Sequence, residues 1–122
     1  MNEKSLNSIR KIVTHAQKAV EYASSTPIWW EDDKCLDAIV FNLAQIGELV
    51  RFVEDEIQSK SPQVNWPAMK GLRNRIIHDY DYVKPLVIKS IVLNDLPKLI
   101  ENLKMILNER KHSQDLNRIN EQ

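Results

Sequence analysis

Apolar residues recur every three or four positions along most of this chain, and this spacing constrains its fold more than any other feature. The first stripe, within residues 2–25, contains Leu6, Ile9, Ile12, Val13, Ala16, Val20 and Ala23. The second, within residues 32–57, contains Leu36, Ile39, Val40, Leu43, Ile46, Leu49, Val50, Val53 and Ile57. Such spacing places apolar side chains on one face of an α-helix. The chain has only two glycines in 122 residues, and it therefore favours helices over sheet.

Turn-forming segments separate the predicted helices. The first helix ends before residues 24–27, and Asp32 is the predicted N-cap of the second, which runs to about residue 57. A polar loop follows at residues 59–65. The third helix is predicted from Asn65, its N-cap, to about residue 80, with Trp66 and Pro67 in the first turn.

The fourth helix is predicted from residue 85 to about residue 111. Pro97 has no backbone N–H, so we expect it to kink this helix or divide it after Leu93. The prediction is therefore an all-α, up-down bundle of four to five helices with a kinked last helix. Residues 1–111 are predicted to form a single domain, and residues 112–122 a polar C-terminal tail that frays.

A few residues are assigned to the interior from their type and position. Gly47 lies within the second apolar stripe, where its missing side chain is expected to permit close approach of another helix. Trp29, Trp30 and Trp66 are predicted core residues, although the first two could instead form an interface. Cys35 is interpreted as a small buried hydrophobic residue.

The overall composition excludes several classes of protein. Seventeen basic residues balance seventeen acidic ones, so no global field attracts nucleic acid, and any such contact must use a local patch. A single cysteine excludes an internal disulfide and a cysteine-rich metal site. No apolar run approaches about 18 residues, so we expect no membrane span and a cytoplasmic location.

The polar chemistry is concentrated in one segment. Arg73, Asn74, His78 and Tyr80 form the pattern R-N-x3-H-x-Y. A fixed cation, a hydrogen-bonding amide and a group that titrates near neutral pH are suited to binding and cleaving a phosphodiester.

Helix geometry leaves open how these groups meet. Asn74 and His78 are separated by about 40° around an ideal helix, whereas Arg73 and His78 are separated by about 140°. Either the last turn is distorted, or Arg73 swings round, or the site combines two copies across a dimer. We favour the dimer, because it places two arginines and two histidines around one cleft.

Several short motifs occur together and in a particular order. They are Asp37-Ala38-Ile39, then Gln45-Ile46-Gly47-Glu48, then Asn65-Trp66-Pro67-Ala68-Met69-Lys70-Gly71-Leu72-Arg73-Asn74, then Ile76-Ile77-His78-Asp79-Tyr80, which completes R-x4-H-x-Y, and finally Asn94-Asp95-Leu96-Pro97. The R-x4-H pattern alone is weak, but the combination is specific. Over about residues 35–105 the chain resembles the HepT-like toxins of the HEPN superfamily.

The resemblance implies a homodimeric, metal-independent endoribonuclease that needs no cofactor and acts as the toxin of a type VII-like toxin–antitoxin system. It also implies a partner, a minimal nucleotidyltransferase antitoxin, which would silence the toxin by transferring AMP to Tyr80. His78 would act as general base or acid, Arg73 would bind the scissile phosphate, and Asn74 would orient His78 or donate to a phosphate oxygen.

Three further residues receive supporting roles on this reading. Lys70 and Arg75 extend a local basic face around Arg73 and are predicted to contact RNA phosphates. Glu48 is expected to approach the active helix, where it could position Arg73.

Two other functions compete with the ribonuclease. The first is a non-catalytic nucleotide- or substrate-binding module that docks a nucleotidyltransferase, which the neutral total charge mildly favours. The second is a purely structural bundle, which explains the apolar stripes but not the polar cluster.

Overall fold

The computed structural model describes the backbone of residues 3–78 and 82–120, and their side chains except at 77, 78, 82, 112–115 and 117–120. The chain is built almost entirely of helices. In order, the elements are α1 (Glu3–Ala23), a 3-10 turn (Trp29–Glu31), α2 (Asp33–Val50), α3 (Asp55–Lys60), α4 (Trp66–Lys70), α5 (Leu72–Ile76), β1 (Ile77–His78), β2 (Tyr82–Val83), α6 (Pro85–Ser90), a π-helical segment (Ile91–Asp95) and α7 (Leu96–Asn120).

The two predicted stripes and the last helix form one core. Helix α1 packs along α2 and against α7. The apolar side chains that meet there are almost completely excluded from water, among them Ile9, Ile12, Ile39, Leu43, Ile46 and Leu103. The predicted all-α bundle is confirmed. None of the helices in the described ranges has the length and apolar character needed to cross a membrane.

The second predicted helix is interrupted, which corrects its predicted continuation to residue 57. Asp32 is its N-cap as expected, since its Oδ1 accepts a hydrogen bond of 3.0 Å from the backbone N–H of Cys35. However, α2 ends at Val50, and α3 begins only at Asp55. The buried hydroxyl of Ser5 explains the break, because it donates to the Phe52 carbonyl and accepts from the Glu54 N–H, at 3.3 and 3.1 Å.

The third helix was predicted to be continuous, and this prediction is wrong. Asn65 caps its start as expected, with Oδ1 accepting from the Ala68 N–H at 3.1 Å. The helix then breaks at Gly71 and ends at Ile76 rather than near residue 80.

An extended pairing replaces the last predicted turn of that helix. Strand β1 pairs antiparallel with β2, with Ile77 opposite Val83 and His78 opposite Tyr82. The Lys84 N–H donates to the Ile76 carbonyl at 2.9 Å. β-Branched and aromatic residues at these positions favour extended backbone, and the pairing satisfies polar groups that a continued helix would have used.

The last predicted helix is interrupted before Pro97, as expected, but the interruption begins at Ile91 rather than after Leu93. Because Pro97 lacks an N–H, the Leu93 carbonyl cannot receive its usual helical hydrogen bond. The backbone adopts a π-helical segment just before this point, in which the Leu96 N–H donates to the Ile91 carbonyl. Helix α7 ends at Asn120 rather than near residue 111, and the boundary between domain and tail stays a prediction.

Gly47 brings α4 against α2, as predicted. A Cβ atom at this position would lie 3.3 Å from the Met69 carbonyl oxygen and 3.4 Å from that of Lys70. These are the last two residues of α4. The glycine therefore determines how closely α4 packs on α2, and with it the position of the next helix, α5.

The predicted interior residues differ in their burial. Trp29 and Trp66 are buried, as expected, whereas Trp30 and Cys35 are only partly buried. Trp30 packs edge-to-face on Trp29, and the Lys89 ammonium lies 3.7 Å from its ring centroid. Trp30 thus closes the edge of the core against α6.

Candidate active site

Helix α5 presents three polar side chains to solvent. Its first and last residues, Leu72 and Ile76, are buried and lie four positions apart, so they anchor one face of the helix in the core. Arg73, Asn74 and Arg75 lie between them and are exposed. The two predicted catalytic groups of this helix, Arg73 and Asn74, are therefore accessible to a ligand.

Arg75 points to a different part of the molecule from Arg73. Residues two positions apart on a helix are separated by about 200° around its axis. Arg75 Nη1 lies 2.9 Å from Asp95 Oδ2 in the π-helical segment. The side chains are 44% and 47% exposed, so solvent screens this ion pair. The pairing partly neutralises Arg75, whose predicted phosphate contact stays a prediction.

Lys70 and Glu48 are the two other predicted supporting residues. Neither is joined to Arg73 by a contact observed among the described residues. Lys70 is exposed at the last position of α4. Glu48 is exposed, and its carboxylate lies 3.0 Å from Arg51 Nη1, one turn along. The structure thus gives Glu48 a partner other than Arg73, and its supporting role stays a prediction.

His78 lies beyond the end of α5, in β1. The 140° separation expected for Arg73 and His78 assumed one straight helix, and this assumption does not hold because α5 ends at Ile76. The His78 side chain and the whole of Tyr80 lie outside the described residues. Their predicted roles, in catalysis and in AMP attachment, stay predictions.

A groove borders the polar helix on the side of Arg75. It has a volume of about 380 Å³ and lies between α4 and α5 on one side and the π-helical segment and α7 on the other. Asn94 and Asp95 belong to the motif Asn94-Asp95-Leu96-Pro97 of the sequence, which predicted no role for either side chain. The Arg75–Asp95 contact spans 20 positions, so helical periodicity carries no signal for it.

Comparison with known proteins gives a consistent result. The family model described as "Ribonuclease HepT-like" matches residues 4–106. A "Putative RNase" of Methanocaldococcus jannaschii is 33% identical over 79 residues, which is 65% of each chain. A "Putative RNase" of Caldanaerobacter subterraneus subsp. tengcongensis is 34% identical over 74 residues, 61% of this chain and 66% of the relative.

A third relative carries the family name itself. The "Probable ribonuclease HepT" of Thermococcus cleftensis is 29% identical over 68 residues, 56% of this chain and 62% of the relative. The matched segments thus span slightly less than two thirds of these relatives, and no solved structure matches the chain significantly. Because the family model extends over most of the sequence, including Arg73, Asn74 and His78, the chain belongs to the HepT-like ribonuclease family.

Proposed function

We propose that this chain is a metal-independent endoribonuclease, the toxin of a type VII-like toxin–antitoxin pair. The observation that carries the proposal is the family match over residues 4–106, within which Arg73 and Asn74 are exposed on α5 and His78 follows immediately in β1. The relatives named as RNases support RNA as the substrate.

The proposed reaction is an internal transesterification. The RNA 2′-oxygen attacks phosphorus, and the bond from phosphorus to the 5′-oxygen breaks. His78 accepts the proton of the 2′-hydroxyl or, when protonated, supplies one to the departing 5′-oxygen. Arg73 binds the phosphate through its guanidinium and stabilises the charge of the pentacoordinate transition state. The product carries a 2′,3′-cyclic phosphate.

Asn74, Lys70 and Arg75 complete the proposed site. Asn74 is one residue from Arg73 on the same exposed part of α5, from which its amide would orient His78 or donate to a phosphate oxygen. Lys70 and Arg75 add positive charge near the path of the RNA. Since the total charge of the chain is zero, electrostatic attraction of RNA must come from a local patch such as this one.

The active form in this proposal is a homodimer. Two copies would bring two Arg73–His78 sets to one cleft and double the positive charge that faces the RNA. The outward orientation of α5, with three exposed polar residues between two buried ones, is compatible with such a shared cleft.

In this proposal, the ribonuclease is silenced by modification of Tyr80. A minimal nucleotidyltransferase antitoxin would transfer AMP to its hydroxyl, which is two positions from His78 in the sequence. The added phosphodiester carries negative charge and considerable volume, so it would exclude the RNA phosphate by repulsion and by occupancy.

A substrate with one 2′-deoxynucleotide tests the proposed reaction directly. The deoxy sugar is placed on the 5′ side of the cleaved bond in an otherwise identical oligonucleotide. Because the nucleophile is absent, we expect cleavage at that bond to disappear while cleavage of the all-ribose control continues. Cleavage of the deoxy substrate at the same bond would exclude this mechanism.

The alternative function is a non-catalytic nucleotide- or substrate-binding module that docks a nucleotidyltransferase. The neutral total charge and the partial neutralisation of Arg75 by Asp95 favour it. Expression in a bacterium without the antitoxin distinguishes the two functions. Growth arrest that is relieved by His78→Ala supports the ribonuclease, and harmless expression supports the module.

A further inference from the structure

The groove beside α5 has the size and composition of a ligand site. Its volume of about 380 Å³ falls within the range of small-molecule pockets, roughly 300 to 1,000 Å³. One of its walls includes Leu72 and Arg75, and Arg73 and Asn74 lie between these two residues on the same helix. Because Arg73 faces away from the groove on this short helix, an RNA strand that crosses α5 would place one base in the groove and a neighbouring phosphate at Arg73.

The floor of the groove is apolar. Leu72, Ile91 and Leu96 line it and are buried, and Leu99 is partly buried beside them. A nucleobase that covers this floor removes its own apolar face and the exposed part of Leu99 from water, which is favourable. The floor by itself would accept any apolar group, so the selectivity must come from the rim.

The rim carries side-chain amides. Gln63, Asn65, Asn94 and Asn102 all line the groove. Asn65 Oδ1 already caps α4, but the other three amides each offer a donor and an acceptor, the combination that forms paired hydrogen bonds with a base edge. In RNA recognition, it is the unstacked bases of single strands that present these edges to a protein.

Within the described residues, two of these amides make long hydrogen bonds. Asn102 Nδ2 donates to the Gln63 carbonyl at 3.4 Å, and Asn94 Nδ2 donates to Ser90 Oγ, also at 3.4 Å. The usual distance for such bonds is about 2.9 to 3.0 Å. Exchanging these contacts for a base edge therefore costs little.

The charge at the groove is suited to a polyanion. Arg75 and Lys98 are positive and Asp95 is negative, which leaves one net positive charge among the ionisable side chains that line it. The π-helical segment contributes Ile91, Asn94 and Asp95 to the lining, and π-helical turns occur frequently at functional sites.

We propose that this groove binds the base of an RNA nucleotide that flanks the scissile phosphate, and that its amide rim sets the base preference of cleavage. The second part of this inference rests on the proposed ribonuclease function. The first part concerns binding alone and can be tested without cleavage.

The experiment compares cleavage of four oligonucleotides that differ only in the base flanking the cleaved bond. The test variant is Asn94→Ala/Asn102→Ala. The matched control is Asn108→Ala, an exposed asparagine that lies in α7, the helix that contains Asn102, but does not line the groove. Asn94→Ala alone, with its exposed side chain, replaces the double variant if thermal unfolding shows that the latter is not folded.

Wild type and Asn108→Ala should share one base preference. In the double variant the ratio of the best to the worst cleavage rate should fall about tenfold, as expected for loss of a paired hydrogen bond to a base. An unchanged ratio, with cleavage still abolished by Arg73→Ala, would overturn the groove proposal and leave the ribonuclease standing.

Binding of a fluorescent 2′-O-methyl RNA tests the groove in the case that the proposed ribonuclease activity is absent. This RNA cannot react, so its affinity is measured by anisotropy even if the chain cleaves nothing. Weaker binding by the double variant than by Asn108→Ala would keep the groove as an RNA site without ribonuclease activity. Equal binding by the two variants, or no binding by wild type, would overturn the groove proposal.

Discussion

Arg73 and Arg75 are two positions apart on α5, but their surroundings give them different roles. Both are exposed, yet the Arg75 guanidinium is engaged by Asp95 at 2.9 Å. In the proposed reaction Arg73 acts on the scissile phosphate, whereas Arg75 ties α5 to the π-helical segment. The two arginines therefore form a matched pair for mutation.

Replacing each arginine by alanine should separate catalysis from stability. We expect Arg73→Ala to lower kcat by about 100- to 1,000-fold, as for the loss of a transition-state donor, with the free energy of unfolding unchanged. We expect Arg75→Ala to cost about 0.5 kcal/mol of stability, because its ion pair is half exposed. RNA cleavage rates and urea unfolding of both variants provide the measurement, and an equal loss of activity in the two variants would contradict this division.

Tyr80→Phe should separate silencing from cleavage. The variant lacks the hydroxyl that the proposal assigns to AMP but keeps the ring, so it should cleave RNA at close to the wild-type rate. Incubation with ATP and the nucleotidyltransferase should then leave its mass and its activity unchanged. AMP addition to Tyr80→Phe would show that the acceptor is another residue.

At the scale of single elements, local sequence signals predicted the helix starts and the core faces correctly. Asp32 and Asn65 are the observed N-caps, and Pro97 lies two positions after the end of the π-helical segment. Leu72 and Ile76, four residues apart, already imply that Arg73 and Asn74 face outward. These features depend on neighbours within a few positions, which is why the sequence predicts them.

Long-range contacts account for two of the features that were not predicted. The break between α2 and α3 is held by Ser5, 49 positions from Glu54, and the Arg75–Asp95 contact spans 20 positions. Neither partner lies within the window over which apolar periodicity operates. The end of α5 has a local cause instead, because β1 and β2 pair residues only four to six positions apart.

Gly47 provides a test of how α4 is seated on α2. Gly47→Ala brings Cβ to 3.3 Å from a carbonyl oxygen, and a gain in helix propensity of about 1 kcal/mol offsets this crowding. Gly47→Val should lower the free energy of unfolding by about 2 kcal/mol through overpacking.

Gly71→Ala is the matched control, since its Cβ would meet the Pro67 carbonyl oxygen at an ordinary 3.5 Å. It should leave stability almost unchanged. Urea unfolding measures all three variants. A Gly47→Val protein as stable as wild type would show that Gly47 does not determine how closely α4 packs on α2.

At the scale of the whole molecule, the proposed shared cleft predicts complementation between inactive variants. If Arg73 of one subunit acts with His78 of the other, a mixed dimer of Arg73→Ala and His78→Ala contains one intact site. An equal mixture of the two should then recover about a quarter of the wild-type activity, because half the dimers are mixed and each has one of two sites. Subunits are exchanged by mild denaturation and refolding, and the cleavage rate is measured.

Each variant alone, treated in the same way, is the control and should remain inactive. Absence of recovery, with mixed dimers demonstrated by mass spectrometry, would show that each site is built within a single chain.

Whether His78 cleaves RNA without a metal ion is decided by one assay. A defined RNA is incubated in EDTA with wild type, with His78→Ala, and with His112→Ala as a histidine control outside the motif. We expect wild type and His112→Ala to leave 2′,3′-cyclic phosphate ends and His78→Ala to leave the RNA intact. Absence of cleavage by wild type, with Tyr80 shown by mass spectrometry to be unmodified, would contradict the account and favour the binding module.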